Sequence, residues 1–298
     1  MNIFKYNNDI LYKKIQWCLG CGNYSILYQL GKFLEKIKLK KNKIVLISGI
    51  GCSSRFPYFM NTLGIHTIHG RSFPIAFGLK LSNPKLNIWI ITGDGDAYLI
   101  GINHLLHIVK KNININILII NNGVLALTKG KEINYNNFNP LSLLLSSGCS
   151  FLARCLYNDF KHIQKILKAA YKHQGTSFIE IYQYCPIYNK KNKNQSYIIL
   201  KHNKPLFFFI KNKKYAIIIN KLKLLPIIKK YNILLKKKIW IHNQNNLTLS
   251  YILCNFNYLY KNLPIPLGII YKKKTHKYIN LSKRKGKINN LLKKNYLF

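Results

Sequence analysis

Acidic residues are the scarcest functional class in this 298-residue chain: seven Asp and Glu stand against 48 Lys and Arg, a formal net charge of +41. Arginine is scarce too, with only Arg55, Arg71, Arg154 and Arg284, so the positive charge is almost all lysine. Lys, Asn and Ile are abundant together, as in Asn112-Ile113-Asn114-Ile115-Asn116-Ile117, and all three share AT-rich codons. Compositional drift accounts for the charge better than nucleic-acid binding, because no recognition motif accompanies it. So few anions imply self-repulsion, which an acidic partner chain would relieve. No apolar run is long enough to cross a bilayer, which argues against a membrane partner. The start, Met1-Asn2-Ile3-Phe4-Lys5-Tyr6, has no signal-peptide core, and a cytoplasmic location is expected. No internal repeat is present.

The cysteines are Cys18, Cys21, Cys52, Cys149, Cys155, Cys185 and Cys254. An odd, scattered set makes a poor disulfide framework, and cytoplasmic chains seldom form one. Cys18-x-x-Cys21 is a zinc half-site, a redox dithiol or part of an iron–sulfur site. The usual zinc pattern repeats the pair downstream, and here it does not. Iron–sulfur ligation needs four thiolates and tolerates scattered partners. Cys52 follows one apolar strand and Cys185 another, which makes them the natural third and fourth ligands. Cys149, Cys155 and Cys254 read as small buried side chains.

Nearly half the residues are apolar, enough for a core at this length. Short apolar runs at 44–48, 89–92, 117–120 and 177–181 predict buried strands. Helical periodicity covers 97–110 and 160–171. Alternation of the two predicts an α/β fold, a parallel sheet with helices on both faces. Composition shifts near Cys185-Pro186, and no acidic residue follows Glu180. Residues 1–189 are therefore read as the main domain and 190–298 as a Lys/Asn-rich C-terminal extension, joined by a linker at Lys190–Gln195. The apolar stretches 206–210, 215–219 and 267–271 are too short for an independent core and predict an extension packed on the main domain or on a partner.

Gly93-Asp94-Gly95-Asp96 follows a strand and opens a helix, at the sheet edge where ligands of such folds bind. Glycines let backbone approach phosphate, and a helix N-terminus favours negative charge. Asp94 is a hard oxygen ligand suited to Mg2+. Asn122 stands at the same edge one crossover later. With neighbouring strands about 5 Å apart, its amide oxygen reaches the same ion, and the Val124 carbonyl supplies a third ligand. A glycine-aspartate turn alone is weak. The strand before it, the helix after it and the Asn pair together point to a thiamine diphosphate site.

The motifs WCLGCG, SGIGCSSR, HTIHGR, GDGD, NN and LTKG occur in that order between Trp17 and Pro186. In order and spacing the chain resembles the beta subunit of a 2-oxoacid:ferredoxin oxidoreductase, the 2-oxoglutarate type above all. Leu200–Pro205 and Pro264–Gly268 resemble the C-terminal region of longer members more distantly. The resemblance implies the thiamine diphosphate-binding fold and a [4Fe-4S] cluster on Cys18, Cys21, Cys52 and Cys185. It implies Mg2+ on Asp94, Asn122 and Val124. It implies cofactor contacts from Gly51, Cys52, Ser53, His69, Gly93, Gly95, Asp96 and Ala126. Family members carry a positive residue three places after the third cysteine, near the substrate carboxylate, and Arg55 stands there. A guanidinium holds a carboxylate through two parallel hydrogen bonds. His69 and Arg71 are expected beside the thiamine. Two departures are visible: Leu19 replaces the usual proline of the CxxC loop, and Gly123–Ala126 replaces a segment that usually carries a tyrosine and a glycine.

Thiamine enzymes activate the cofactor with a carboxyl group against its aminopyrimidine ring. Glu35, the only glutamate before Gly93, sits in a lysine-rich helical stretch and is a poor candidate. In the family that glutamate belongs to the alpha subunit. The implied enzyme therefore needs an alpha subunit, is inactive as a single chain, and oxidatively decarboxylates a 2-oxo acid to the acyl-coenzyme A with electrons passing to ferredoxin. Two rival readings are a non-redox thiamine diphosphate enzyme subunit and a basic nucleic-acid-binding protein on a decayed enzyme scaffold. Lys129 of LTKG is a candidate for an anionic substrate or coenzyme A, and a solvated lysine accounts for it equally well. His104 and His107 share one helix face and read as structural.

Overall fold

The computed structural model describes residues 17–126, 130–133, 138–188, 196–210, 213–220, 225–231, 238–256 and 263–274. Expectations for Met1–Tyr6, Lys129 and the Lys190–Gln195 linker fall outside these.

The strands are β1 (Ile44–Ser48), β2 (Leu63–His66), β3 (Asn87–Gly93), β4 (Asn116–Asn121), β5 (Val124–Leu125), β6 (Lys131–Glu132), β7 (Phe151–Leu156) and β8 (Ser177–Tyr182). They continue as β9 (Tyr197–Ile199), β10 (Lys204–Pro205), β11 (Phe207–Ile210), β12 (Lys213–Asn220), β13 (Leu225–Lys230), β14 (Ile241–His242) and β15 (Ile265–Lys272). The helices are α1 (Asn23–Lys36), α2 (Phe56–Phe59), α3 (Ser72–Ser82), α4 (Ile102–Lys111), α5 (Pro140–Ser146), α6 (Phe160–Tyr171) and α7 (Leu247–Cys254).

Eight strands form one sheet in the order β2-β1-β3-β4-β8-β7-β15-β9. From β2 to β7 every pairing is parallel. The inner strands are buried on both faces, which is why β1 and β4 read as nearly continuous apolar runs. Successive residues point to opposite sides. Ile44 and Leu46 join Trp89, Leu30 and Leu167 in a core that includes α1 and α6. Val45 and Ile47 join Phe73, Leu105 and Phe178 in a core that includes α3 and α4. A parallel sheet sandwiched by helices is the arrangement expected from the alternating pattern.

The chain after residue 189 continues the same sheet. β15 runs antiparallel beside β7, and β9 runs parallel to β15. Leu200, Leu206, Phe208, Trp240 and Phe256 enter the same core as Phe178. Gly268, at φ +130°, passes so close to Leu200 that any side chain would meet its carbonyl oxygen.

Helical periodicity over 97–110 conceals a break. Residues Gly95–Ile100 form a wide π-type turn, closed by Gly101 N–H donating to the Asp96 carbonyl at 2.9 Å, and α4 starts only at Ile102. A Cβ on Gly101 would lie 2.8 Å from that carbonyl and 2.9 Å from the Phe73 ring. Such wide turns recur at functional sites.

Candidate cofactor site

Parallel strands β1, β2, β3 and β4 send their following loops to one edge of the sheet. These loops enclose a cavity of about 390 Å³, within the range of small-molecule sites. Its wall takes Gly51, Cys52 and Ser53 from the loop after β1, and His69 from the segment after β2. Gly93, Asp94, Gly95 and Asp96 come from the end of β3, and Asn122, Val124 and Ala126 from beyond β4. Apart from Arg71, every residue expected at the cofactor or at Mg2+ thus borders one space. Ile50, Leu99, Ile100 and Leu125 add apolar wall that the sequence reading did not anticipate.

Two glycines explain the shape. Gly51 (φ +125°) and Gly123 (φ +69°) adopt backbone conformations that other residues rarely take, and a Cβ on either would meet open space. The loops therefore turn sharply without filling the cavity. Asp94 is buried, and its Oδ2 accepts the Gly123 N–H at 2.9 Å. Asn122 Oδ1 accepts the Val124 N–H at 3.0 Å, which closes the turn. A carboxylate, an amide oxygen and a backbone carbonyl are a hard donor set that fits Mg2+.

Asp96 borders the cavity, yet its carboxylate is spent within the protein. Oδ1 accepts the N–H groups of Gly70 (2.9 Å) and Ile50 (3.2 Å) and contacts His69 Nδ1. Oδ2 accepts the Thr92 hydroxyl at 2.7 Å. One buried anion thereby ties three of the loops together.

The four cysteines named from sequence converge beside this cavity. Burial pushes the Cys21 thiol up to about 11, and the fields of Cys52, Cys185 and Cys18 add to the shift. Burial also raises Cys52, helped by Cys185 and Cys18, while Arg55 pulls it down. Cys21 therefore lies within electrostatic reach of the other three, and Cys52 within reach of Cys18 and Cys185. Local geometry holds them there. Cys21 N–H donates to Cys18 O at 3.0 Å, which closes the CxxC turn. Trp17 Nε1 donates to the Cys52 carbonyl at 2.7 Å, and its ring packs against Tyr24, Phe56 and Phe59. Gln183 Nε2 donates to Cys21 Sγ at 3.2 Å. Among the described residues, no three His, Cys, Asp or Glu side chains close round a point tightly enough for a single ion. A [4Fe-4S] cluster asks for a looser set, one thiolate to each iron. Cys149, Cys155 and Cys254 are buried elsewhere, as expected. Cys52 belongs both to the cavity wall and to the cysteine group.

The sequence profile "Thiamine pyrophosphate enzyme, C-terminal TPP binding domain" matches residues 49–181. The 2-oxoglutarate oxidoreductase subunit KorB of Mycobacterium tuberculosis is 41% identical over 220 residues, 66% of this chain and 59% of that one. The 2-oxoglutarate synthase subunit KorB of Methanothermobacter thermautotrophicus is 36% identical over 197 residues, 60% of this chain and 69% of that one. The chain belongs to the beta-subunit family of 2-oxoacid:ferredoxin oxidoreductases. It spans about three-fifths of the length of the mycobacterial relative. A solved 2-oxoglutarate:ferredoxin oxidoreductase from Magnetococcus marinus, with 2-oxoglutarate, coenzyme A and succinyl-CoA bound, shares the fold. Its TM-score is 0.71 at 23% identity, covering 99% of each chain.

Within this family frame the remaining residues fall as follows. Arg55 is half-buried on the turn after Cys52, outside the cavity wall. Arg71 is exposed at the start of α3, also outside the wall. His107 packs its ring edge-on to Phe77 at 5.4 Å, a structural role. Among the described residues, no glutamate borders the cavity: Glu132 is exposed, Glu35 lies on α1, and Glu180 pairs with Arg154 inside the fold. No described helix is long and apolar enough to cross a membrane. Sequence reading passed over Trp17, Thr92, Gln183, Arg154 and Glu180. A signal existed for the last two, since one rare arginine and one rare glutamate each interrupt an apolar strand.

Proposed function

We propose that the chain is the beta subunit of a 2-oxoacid:ferredoxin oxidoreductase of the 2-oxoglutarate type, acting with an alpha subunit. The observation that carries the reading is the double membership of Cys52. It borders the cavity shared by Asp94, Asn122 and Val124, and it is electrostatically coupled to Cys18, Cys21 and Cys185. Asp94, Asn122 and the Val124 carbonyl hold Mg2+, and the glycine-rich ends of β1 and β3 cradle the diphosphate. The four thiolates hold a [4Fe-4S] cluster.

Bound there, thiamine diphosphate is an electron sink for the loss of CO2 from a 2-oxo acid. The overall conversion of 2-oxo acid and coenzyme A gives acyl-coenzyme A, CO2, one proton and two electrons, and ferredoxin takes the electrons. Arg55, next to Cys52, holds a substrate carboxylate in a bidentate grip. His69 is fixed by Asp96 at the cavity wall, and Arg71 lies exposed at the start of α3, outside it. The apolar side chains of Leu99 and Ile100 exclude water from one side of the cavity. The carboxyl group that activates the cofactor comes from the alpha subunit, since none of the described glutamates borders the cavity. The substrates 2-oxoglutarate and coenzyme A follow from the Magnetococcus relative, which binds both.

The test is anaerobic co-purification of this chain with its alpha subunit. Iron, sulfide and thiamine diphosphate are then measured, along with reduction of ferredoxin that depends on 2-oxoglutarate and coenzyme A. Serine at Cys18, Cys21, Cys52 or Cys185 is expected to remove the iron, while serine at Cys155 spares it. A colourless, iron-free complex that still decarboxylates 2-oxo acids would favour a non-redox enzyme and overturn the proposal.

A further inference from the structure

Beneath the cavity, one buried carboxylate joins the two loops that carry the metal donors. Glu180, on β8, is 2% exposed. Its Oε2 accepts Arg154 Nε at 2.7 Å, and the two residues are register partners on neighbouring strands. Its Oε1 accepts two further donors. One is the Tyr98 hydroxyl at 3.1 Å, from the π-type turn that begins immediately after Asp94. The other is Asn121 Nδ2 at 2.8 Å, from the residue immediately before Asn122.

We infer that Glu180 is a positioning residue for the metal donors Asp94, Asn122 and Val124, acting through Tyr98 and Asn121. A carboxylate only accepts hydrogen bonds when ionised. Asn121 must therefore turn its NH2 toward Glu180, which points its oxygen the other way, onto the Gly123 N–H at 3.1 Å. That same N–H lies 2.9 Å from Asp94 Oδ2. The orientation of one amide thus sets the Asn121-Asn122-Gly123 turn and its distance from Asp94. A flipped amide would set oxygen against oxygen at Glu180 and NH2 against the Gly123 N–H. Tyr98 ties the other loop to the same carboxylate. Arg154 keeps the anion in place: its guanidinium is buried and lies over the Tyr182 ring at 5.0 Å. Groups that orient metal ligands from behind commonly change metal affinity by about 10- to 100-fold when removed.

The inference rests on the proposed function only for what the cavity binds. Its test uses the full chain co-purified with the alpha subunit, and reads binding of thiamine diphosphate by calorimetry across a series of Mg2+ concentrations. Glu180→Gln leaves the buried Arg154 without its counter-charge and is prone to misfold. Asn121→Asp and Tyr98→Phe keep that ion pair and decide the matter. Asn121→Asp sets a carboxylate against Glu180 while preserving an acceptor for Gly123. It is expected to weaken binding about 10-fold or more, with recovery as Mg2+ is raised. Tyr98→Phe is expected to weaken it by a smaller factor in the same Mg2+-dependent way. A merely structural role would lower the melting temperature of the cofactor-free complex and leave the affinity and its Mg2+ dependence alone. Affinities within twofold of wild type in both variants overturn the inference. If the wild-type complex itself binds no thiamine diphosphate, the proposed function falls, and this inference falls with it.

Discussion

Removal of the Asp96 carboxylate is the sharpest probe of how the cavity is built. In Asp96→Ala the N–H groups of Gly70 and Ile50 lose their acceptor, the Thr92 hydroxyl loses a 2.7 Å partner, and the His69 ring loses its anchor. A buried donor left unsatisfied costs about 1–3 kcal/mol. Two backbone donors near the lower end of that range, because the vacated space opens toward the cavity and admits water, come to about 3 kcal/mol. Thr92 adds little, since its hydroxyl can turn to Ser54 Oγ, 3.4 Å away. At roughly 2–4 °C per kcal/mol for a domain of this size, the melting temperature should fall by about 6–12 °C. Asp96→Asn should behave differently. Its amide oxygen can still accept from Gly70 and Ile50, and its NH2 can face Thr92 Oγ, a hydroxyl that also accepts. A loss below about 1.5 kcal/mol is expected for it. Thermal and urea unfolding of both variants, with the m-value checked for constancy, measure the difference. Equal losses in Asn and Ala, or an Ala loss under 2 °C, would refute the idea that this carboxylate binds the loops together.

Two other perturbations follow from the same geometry. A Cβ on Gly22 would lie 2.7 Å from both Gln183 Cγ and the Tyr157 ring. Gly22→Ala should therefore push Gln183 away from Cys21 Sγ and lower the iron content of the anaerobically purified protein; iron retained at the wild-type level contradicts this. His173, bonded through Nε2 to Ser150 Oγ at 2.7 Å, is held down at about 4, chiefly by burial and secondarily by Lys272. Its folded value lies below its unfolded one, so the neutral ring's stabilisation is complete above pH 6.5 and is lost as pH falls toward 4. Melting temperature measured from pH 7 to 4.5 should drop, and His173→Gln should flatten the drop; parallel curves would exclude the role.

The strands show how far local pattern reaches. The runs at 44–48 and 177–181 match β1 and β8 almost residue for residue, because strands buried on both faces are mostly apolar, with Glu180 the charged exception on β8. β2 was not legible: its residues are mostly exposed and it lies at the sheet edge, so no apolar run marks it. β7 has the burial of an inner strand but carries Arg154 at its centre, which breaks the apolar signal until its partner on β8 is seen. The break at Gly101 was equally hidden, because hydrophobic periodicity records which side of a segment is buried and not how its backbone is bonded.

The sequence alone determined the kinds of chemistry available: a CxxC pair and two thiols that follow strands, an acid and an amide at adjacent strand ends, and glycines where backbone must turn sharply. Those signals are local, since an apolar run followed by a glycine turn needs no knowledge of the rest of the chain. Tertiary structure decided everything that depends on register and distance. It brought Cys18, Cys52 and Cys185 into electrostatic range of Cys21, and it committed Asp96 to the loops. It also set Glu180 behind Tyr98 and Asn121 and carried the C-terminal strands back onto β7. Residue type fixes what a side chain can accept or donate, but only strand pairing across long sequence separations chooses its partner.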